Sequence, residues 1–275
     1  IIPSASYRTN PFMDAATKLD LKVLVITDKS QVFSEYYPDN VITMNFEHWQ
    51  ESIENIREWS ERYDLKAVIG VDEESIILAA KLSESLCIEH NSLESVKLTK
   101  NKYLMRSELK KSGLKSPWFK RFSVHETPKD IFAELSFPCV LKPTFLSASQ
   151  GVLRVNSFEE FGKGCEMLSD LLAEEKVKKR GGDQANWILV EEYIPGKEVS
   201  IEGIVNDGKL KDLAIFDKPE PLEGPIFPET IFITPTILDE HLQFSMLESA
   251  QTALQALGIR SEERRVGKEC RSRWS

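Results

Sequence analysis

Cysteine is sparse in this 275-residue chain, and its four copies (Cys87, Cys139, Cys165 and Cys270) are scattered with no C-x-x-C spacing. That leaves neither a zinc site nor a disulfide framework to read, and the thiols are expected to be reduced and mostly buried. Long apolar runs are missing too. No stretch approaches the roughly 20 apolar residues that span a bilayer, and nothing at the start resembles a secretory signal. A cytoplasmic setting without a membrane partner is the expectation. Basic excess is also lacking: 35 Lys and Arg stand against 44 Asp and Glu, a net charge of -9. No basic patch interleaved with aromatics occurs before the last few residues, so a nucleic-acid partner is not expected.

What is present is a globular composition, 41% apolar and 29% charged, long enough for one large domain or two ordinary ones. The first hundred residues alternate strand and helix patterns. Ile1-Ile2-Pro3 reads as the tail of a strand. LKVLVIT (21–27) and KAVIGV (66–71) are short continuous apolar runs, as expected of strands buried on both faces. Between them WQESIENIREWSERY (49–63) places Ile53, Ile56, Trp59 and Tyr63 on one side of a helix. This alternation predicts βαβ units and a parallel sheet. Asp72 opens the helix EESIILAAKLSESL; Asp72, Glu73 and Glu74 either cap it or, at a strand end, face a site.

A second unit begins near residue 96. SVKLTKNKYLMRSELKKSGL reads as one helix closed by Gly113, SPWFKRFSV and FPCVLKP as strands, and SFEEFGKGCEMLSDLLAEEKVKKR as a helix with a stripe at Phe158, Phe161, Cys165, Leu168 and Leu172. WILVEEYI, KEVSIEGIVNDGKLKDLAIFDKP and TIFITP follow as antiparallel strands, with Asn206-Asp207-Gly208 as a hairpin turn. LQFSMLESAQTALQAL is a helix that stops at Gly258. The remainder, SEERRVGKECRSRWS, loses apolar periodicity and turns basic. It resembles a read-through or assembly scar, so residues 261–275 are expected to stand outside the fold as a non-native tail.

Two places could carry chemistry. Lys142 ends the apolar run of PCVLKP, and a buried ammonium needs water or an anion for company. Either it snorkels to solvent, or the following loop, T-F-L-S-A-S-Q-G, closes with it over phosphate oxygens through hydroxyls and closely spaced N–H donors. That loop is poorer in glycine than most phosphate loops. About fifty residues on, Ile188-Leu189-Val190 runs into Glu191-Glu192-Tyr193-Ile194, a Pro195-Gly196 turn and Glu198. Carboxylates at such a strand end can accept from an exocyclic amine or a ribose hydroxyl, or they form a solvated strand end and turn.

The order of these features resembles the ATP-grasp superfamily: a helix with Asn101-Lys102, a strand ending in Lys142, a Ser/Gly loop, strand, helix, a strand ending in Glu-Glu-Tyr-Ile, and Glu198. The segments SYRTNPF, NKYLMR, PCVLKP, VEEYIPGKEVSIEG and FDKPEPLEGPIFPET resemble its bacterial carboxylate–amine ligase branch. The fold this implies is α/β plus α+β. A parallel-sheet pre-ATP-grasp domain would occupy residues 1–95 and a two-lobed ATP-grasp domain, truncated, residues 96–260.

The resemblance also implies roles. Lys102 would contact the α-phosphate side of ATP, and Lys142 would bridge the α- and β-phosphates. Ser147, Ser149, Gln150 and Gly151 match the loop that closes over the β- and γ-phosphates. Glu191 would take the adenine amine, with Glu192 beside it, Tyr193 and Ile194 would meet the ring, and Glu198 would hold the ribose. Lys218 and Glu229 would face the carboxylate substrate.

The family chemistry is phosphoryl transfer: a carboxylate takes the γ-phosphate and an amine displaces it from the acylphosphate, forming an amide or peptide-like bond. No nucleophilic side chain is needed, and His48, His90, His125 and His241 are not read as catalytic. Small-molecule carboxylate and amine are the implied partners, and homo-oligomerisation is left open. The family's Mg2+ ligands, a Glu and a Glu-x-Asn pair, would follow the helix ending at Gly258, where the anomalous tail stands. No residue is therefore assigned to metal, and the chain as given is expected to bind ATP at best. Two other readings remain: a carboxylase-type enzyme on the same scaffold, against which the compact Ser-containing loop counts, and a nucleotide-binding module without catalysis.

Overall fold

The computed structural model describes residues 1–4, 6, 8–29, 40–73, 75–220, 223–227, 231–260 and 262–271. The chain divides into two compact units, Ile1–Lys97 and Leu98–Ser275.

In the first unit, helix α1 (Thr9–Lys18) precedes a parallel pair of strands, β1 (Val25–Thr27) and β2 (Val41–Thr43), with Val25 opposite Val41. Helices α2 (Ile53–Tyr63) and α3 (Ile76–Ser85) follow. The expected strand at 21–27 shrinks to its last three residues, all buried. The run at 66–71 forms no strand; Val71 donates its N–H to the Ile1 carbonyl, and the carbonyls of Ile69 and Val71 accept from the Ile1 ammonium and from Arg8 Nη1. A ladder needs paired backbone as well as apolar side chains, and periodicity reports only the latter. Ile26, Met44, Ile56, Leu78 and Leu82 form one core cluster here. Asp72 accepts from the Ser75 N–H and hydroxyl, at 3.2 and 3.1 Å, which is a local capping arrangement ahead of α3. Glu74 lies outside the described residues.

The second unit opens where a single helix was expected. Instead α4 (Leu93–Lys100) stops at Asn101, and α5 (Lys102–Lys111) begins. Asn101 adopts extended backbone, and its side-chain oxygen accepts from the N–H groups of Tyr103 and Leu104, so the cap supplies the new helix with partners for two orphan donors. Next come β3 (Phe119–Ser123), α6 (Pro128–Ile131), β4 (Cys139–Pro143), β5 (Leu153–Val155), α7 (Phe158–Ala173), α8 (Glu175–Gly181) and β6 (Trp187–Glu192). The four strands make an antiparallel sheet in the order β3-β6-β4-β5.

Alternation along these strands separates the two faces. Phe122, Cys139, Leu141, Val155, Ile188 and Val190 pack on Phe161, Cys165, Leu168 and Leu172 of α7. The rings of Phe122 and Phe161 lie 5.9 Å apart. Phe158, placed in the apolar stripe from spacing, is the first residue of α7 and is 49% exposed, its ring edge-on to Phe137 at 4.9 Å.

The hairpin β7 (Glu198–Asn206) and β8 (Lys209–Asp217) turns at Asp207-Gly208, both at positive φ, as the Asn-Asp-Gly signal requires. The described residues of TIFITP, 231–235, form no strand; among them Ile233 bridges to Asp217. Helix α9 (Glu240–Ala256) packs Met246 and Ala250 on Val199, Ile201 and Ile215. Residues 262–271, expected to stand outside the fold, form β9 (Glu262–Arg271), antiparallel to the free side of β7 in the order β8-β7-β9. An open strand edge accepts any extended backbone, whatever the side chains, which is why loss of apolar periodicity did not foretell it.

Burial pushes the Cys139 and Cys165 thiols up to about 12. Since the thiolate is the reactive form, iodoacetamide at pH 8 is expected to label exposed Cys87 and to leave Cys139 and Cys165 unmodified until the chain is denatured. Peptide mapping by mass spectrometry checks this.

Candidate functional site

The face of the four-stranded sheet away from α7 carries charge. Cross-strand neighbours share a face, and the register sets Glu191 opposite Val140 and Phe119, Lys142 opposite Leu189, Leu189 opposite Arg121, and Val140 opposite Arg154. One surface thus collects Lys142, Glu191, Arg121 and Arg154. Lys142 does not snorkel: it is 2% exposed, and its Nζ donates to Glu191 Oε1 at 2.5 Å. The other carboxylate oxygen, Oε2, accepts from Arg106 Nε of α5 at 3.1 Å. All three side chains are buried. Taking one partner away from a buried ion pair of this kind costs about 3–5 kcal/mol, because the remaining charge is stranded.

Helix α5 builds the next wall. Its first residue, Lys102, donates its backbone N–H to the Thr144 carbonyl at 2.8 Å and its Nζ to the Leu146 carbonyl. One turn later Arg106 reaches Glu191, residues i and i+4 sharing a helix face. Met105 and Leu109 pack instead against Val205, Leu254 and Leu257 of the second sheet and α9. The helix is therefore wedged between the two sheets of this unit.

The loop after β4 is shaped by left-handed backbone. Ala148, Ser149 and Gly151 have φ of 53°, 57° and 69°, and Gln150 and Val152 donate back to the carbonyls of Ser147 and Ser149, each at 3.2 Å. Ser147 and Ser149 are partly exposed and Gln150 is exposed. Two consecutive non-glycine residues in this region are strained. At Gly151 a Cβ would meet Leu171 Cδ2 at 2.8 Å and Leu168 Cδ2 at 2.9 Å.

Beyond Glu191, Glu192 pairs with Cys139 on the opposite face, its N–H donating to the Trp118 carbonyl at 2.9 Å. Tyr193 donates its N–H to the Pro138 carbonyl, and its ring lies 4.1 Å from the Arg154 guanidinium. Ile194 is half-buried and Pro195 exposed. At the start of β7, buried Glu198 accepts from Lys218 Nζ at 2.5 Å. Glu229 lies outside the described residues.

The residues nominated from sequence thus fall into three linked groups: Lys142 with Glu191, Lys102 with the 144–151 loop, and Glu198 with Lys218. Sequence reasoning missed Arg106 and Arg154, and took in Thr144 only as one hydroxyl of the T-F-L-S-A-S-Q-G loop. Arg106 stands four residues after Lys102 within NKYLMR, so helical spacing was the available signal; nothing in the run GVLRV marks Arg154. It stacks on Tyr193 and donates from Nη1 to the Glu223 carbonyl at 2.6 Å.

The donor set fits a polyphosphate. Cationic side chains converge on one sheet face beside a loop of small residues, and the Thr144 hydroxyl, two residues beyond Lys142, is buried without a hydrogen-bond partner. Such an orphan costs about 1–3 kcal/mol unless something satisfies it. A magnesium ion is not matched in the same way: among the described residues no group of three or more His, Cys, Asp or Glu side chains is placed to hold a metal. No step is routed through a metal here.

An antiparallel sheet with a buried cation–carboxylate network, a second sheet built on a hairpin, and a helix packed on both define an α+β unit. Residues 135–265 match the family model described as the ATP-grasp domain. Alanine–anticapsin ligase of Bacillus subtilis (strain 168) is 30% identical over 278 residues, covering 93% of this chain and 58% of that protein. The crystal structure of L-amino acid ligase from Bacillus licheniformis superposes with a TM-score of 0.76 at 25% identity, over 91% of this chain and 60% of that one. A 2-oxoglutarate carboxylase biotin carboxylase domain from Hydrogenobacter thermophilus shares the fold at 15% identity and a TM-score of 0.64, over 92% of this chain and 56% of that one. The ATP-grasp match thus takes in just under half of the chain, and the likeness to the two ligases runs over most of it. The chain spans 58% of the length of the alanine–anticapsin ligase it matches.

Gly151→Ala is expected to destabilise the chain by about 1–3 kcal/mol, since it combines a left-handed backbone with a collision against two leucines. A lowered urea midpoint at unchanged slope checks it; an unchanged midpoint would show that the loop adopts another path.

Proposed function

We propose that this chain is the ATP-holding part of a ligase that joins a carboxylate to an amine. The observation that carries the reading is the buried Lys142, placed by the strand register at the mouth of a small-residue loop. The likeness to alanine–anticapsin ligase over 93% of the chain supports ligation over carboxylation, whereas the carboxylase likeness is one of fold alone.

In this reading Lys142 meets the α- and β-phosphates as a point charge on a flexible stem. Lys102 steadies the loop whose Ser147, Ser149, Gln150 and Gly151 close over the β- and γ-phosphates. The hydroxyl of Thr144 gains the partner it lacks. The backbone of Glu192 to Ile194 reads the adenine edge with Glu191 behind it, Tyr193 is kept in place by Arg154, and Glu198 takes the ribose, with Lys218 passing toward the substrate carboxylate alongside Glu229. A carboxylate oxygen then bonds to the γ-phosphorus as its bond to the β–γ bridging oxygen breaks and ADP leaves. An amine nitrogen next bonds to the acyl carbon as phosphate departs, and the amine loses a proton. The protein's part is position and charge, since developing charge on the transferring group is neutralised by donors already in place. A cytoplasmic protein acting on small molecules is consistent with this chemistry, and no helix among the described residues is long and apolar enough to cross a membrane.

Calorimetric titration of ATP into the 275-residue chain is expected to show saturable binding that Lys142→Met weakens tenfold or more. Equal affinities would overturn the phosphate assignment. Binding without turnover is the expectation for this chain. ADP release requiring both an amino-acid carboxylate and an amine would overturn that and establish the ligase chemistry directly; release with bicarbonate in place of both would favour the carboxylase reading.

A further inference from the structure

The Lys142–Glu191 contact raises a difficulty for any anion that uses Lys142. A phosphate oxygen arriving at Nζ competes with Glu191 Oε1, 2.5 Å away. If the ammonium turns to the phosphate, a buried carboxylate is left behind, and an uncompensated interior charge opposes binding. Arg106 removes that difficulty. It holds the second oxygen, Oε2, from a different element, so Glu191 keeps a cationic partner whichever way Lys142 points.

The two cations differ in what they can do. Lysine is a point charge on four rotatable carbons, while the guanidinium is a planar fork with donors fixed in direction. The platform beneath Arg106 is fixed as well. Asn101 caps α5, Lys102 ties its first turn to the carbonyls of Thr144 and Leu146, and Met105 is packed in the core beside it. One cation is built to swing and the other to stay.

We infer that Arg106 is a positioning residue that lets Lys142 exchange an internal carboxylate for a phosphate oxygen of the incoming nucleotide. The inference rests on the ATP reading above. Arg106 itself need touch no part of the nucleotide. Its effect should therefore depend on the phosphates and on the presence of a charge at position 191, which a merely structural arginine would not show.

The test compares ATP, titrated calorimetrically, with adenosine, measured by displacement of a fluorescent ATP analogue, on the 275-residue chain and three variants. Arg106→Met is expected to lower the ATP-to-adenosine affinity ratio tenfold or more, mainly through ATP. Arg106→Lys, which keeps a cation beside Glu191, should hold that ratio within about threefold of the parent. In Arg106→Met/Glu191→Gln no buried carboxylate is left to strand, and the ratio should recover to a similar range. Equal loss of ATP and adenosine in Arg106→Met, no loss at all, or failure of the double variant to recover would each overturn the inference. Should Arg106→Met not fold, the Arg106→Lys and double-variant ratios decide, and a tenfold drop in either overturns it. A parent chain that binds adenosine and ATP equally would instead remove the phosphate reading, and the inference with it.

Discussion

A carboxylate in a protein interior is tolerated only if its charge is answered on the spot, and Glu191 is answered twice, by Lys142 from the neighbouring strand and by Arg106 from α5. Satisfying both oxygens at once dictates the register between β4 and β6, the place where α5 must lie, and the side of the sheet left for α7 and the core. A shift of one residue in that register would turn Lys142 toward Leu168 and Phe161 and bring Leu141 to the charged face. The polar network thus specifies the arrangement, while the apolar cluster beneath it supplies most of the stability. Replacing a buried ion network with apolar side chains is often neutral for stability, so its retention here is better explained by what the charges do.

The same network organises the rest of the site. Lys102 and Arg106 project from one helix to two different targets, the loop after β4 and the end of β6, so the two share a single support. The 144–151 loop is then constrained at its base by Lys102 and further along by the fit of Gly151 against α7. Arg154 links the segment after β6 to the segment after β8 by stacking on Tyr193 and bonding the Glu223 carbonyl. The second sheet carries its own buried pair, Glu198 with Lys218. Each acidic group nominated for a nucleotide contact and described in a buried position is thus already matched with a cation from within the fold.

Much of the second unit was legible because its strands are short apolar runs with charge at their ends, and because the Asn-Asp-Gly turn permits few backbone paths. Lys142 and Glu191 stood out as charges at the ends of such runs, and the order of segments carried the family resemblance. The pairing between them was not legible, since it depends on register, which no single strand contains. Arg106 was hidden for a related reason: its role arises from helix spacing and a partner 85 residues away. In the first unit the apolar runs overstated the sheet: Leu21 and Ile69, read as buried strand residues, are 59% and 55% exposed, because an apolar run does not say which of its residues a partner covers. The break at Asn101 was overlooked where two amphipathic stretches kept a common phase, and β9 was overlooked because pairing at an open edge draws on backbone alone.

The cap at Asn101 has a consequence for how such a protein can vary. With about 1.5 Å of rise per residue, Lys102 and Arg106 stand about 6 Å apart along α5, and Asn101 fixes where that count starts. The helix therefore serves as a ruler between the loop after β4 and the end of β6. A substitution alters what a mark on the ruler says, whereas one residue gained or lost between the two marks rotates every later mark by about 100° and carries Arg106 away from Glu191. Over evolutionary time this short interval should keep its length more strictly than its composition, and insertions should gather in the surface connections, where nothing is being measured.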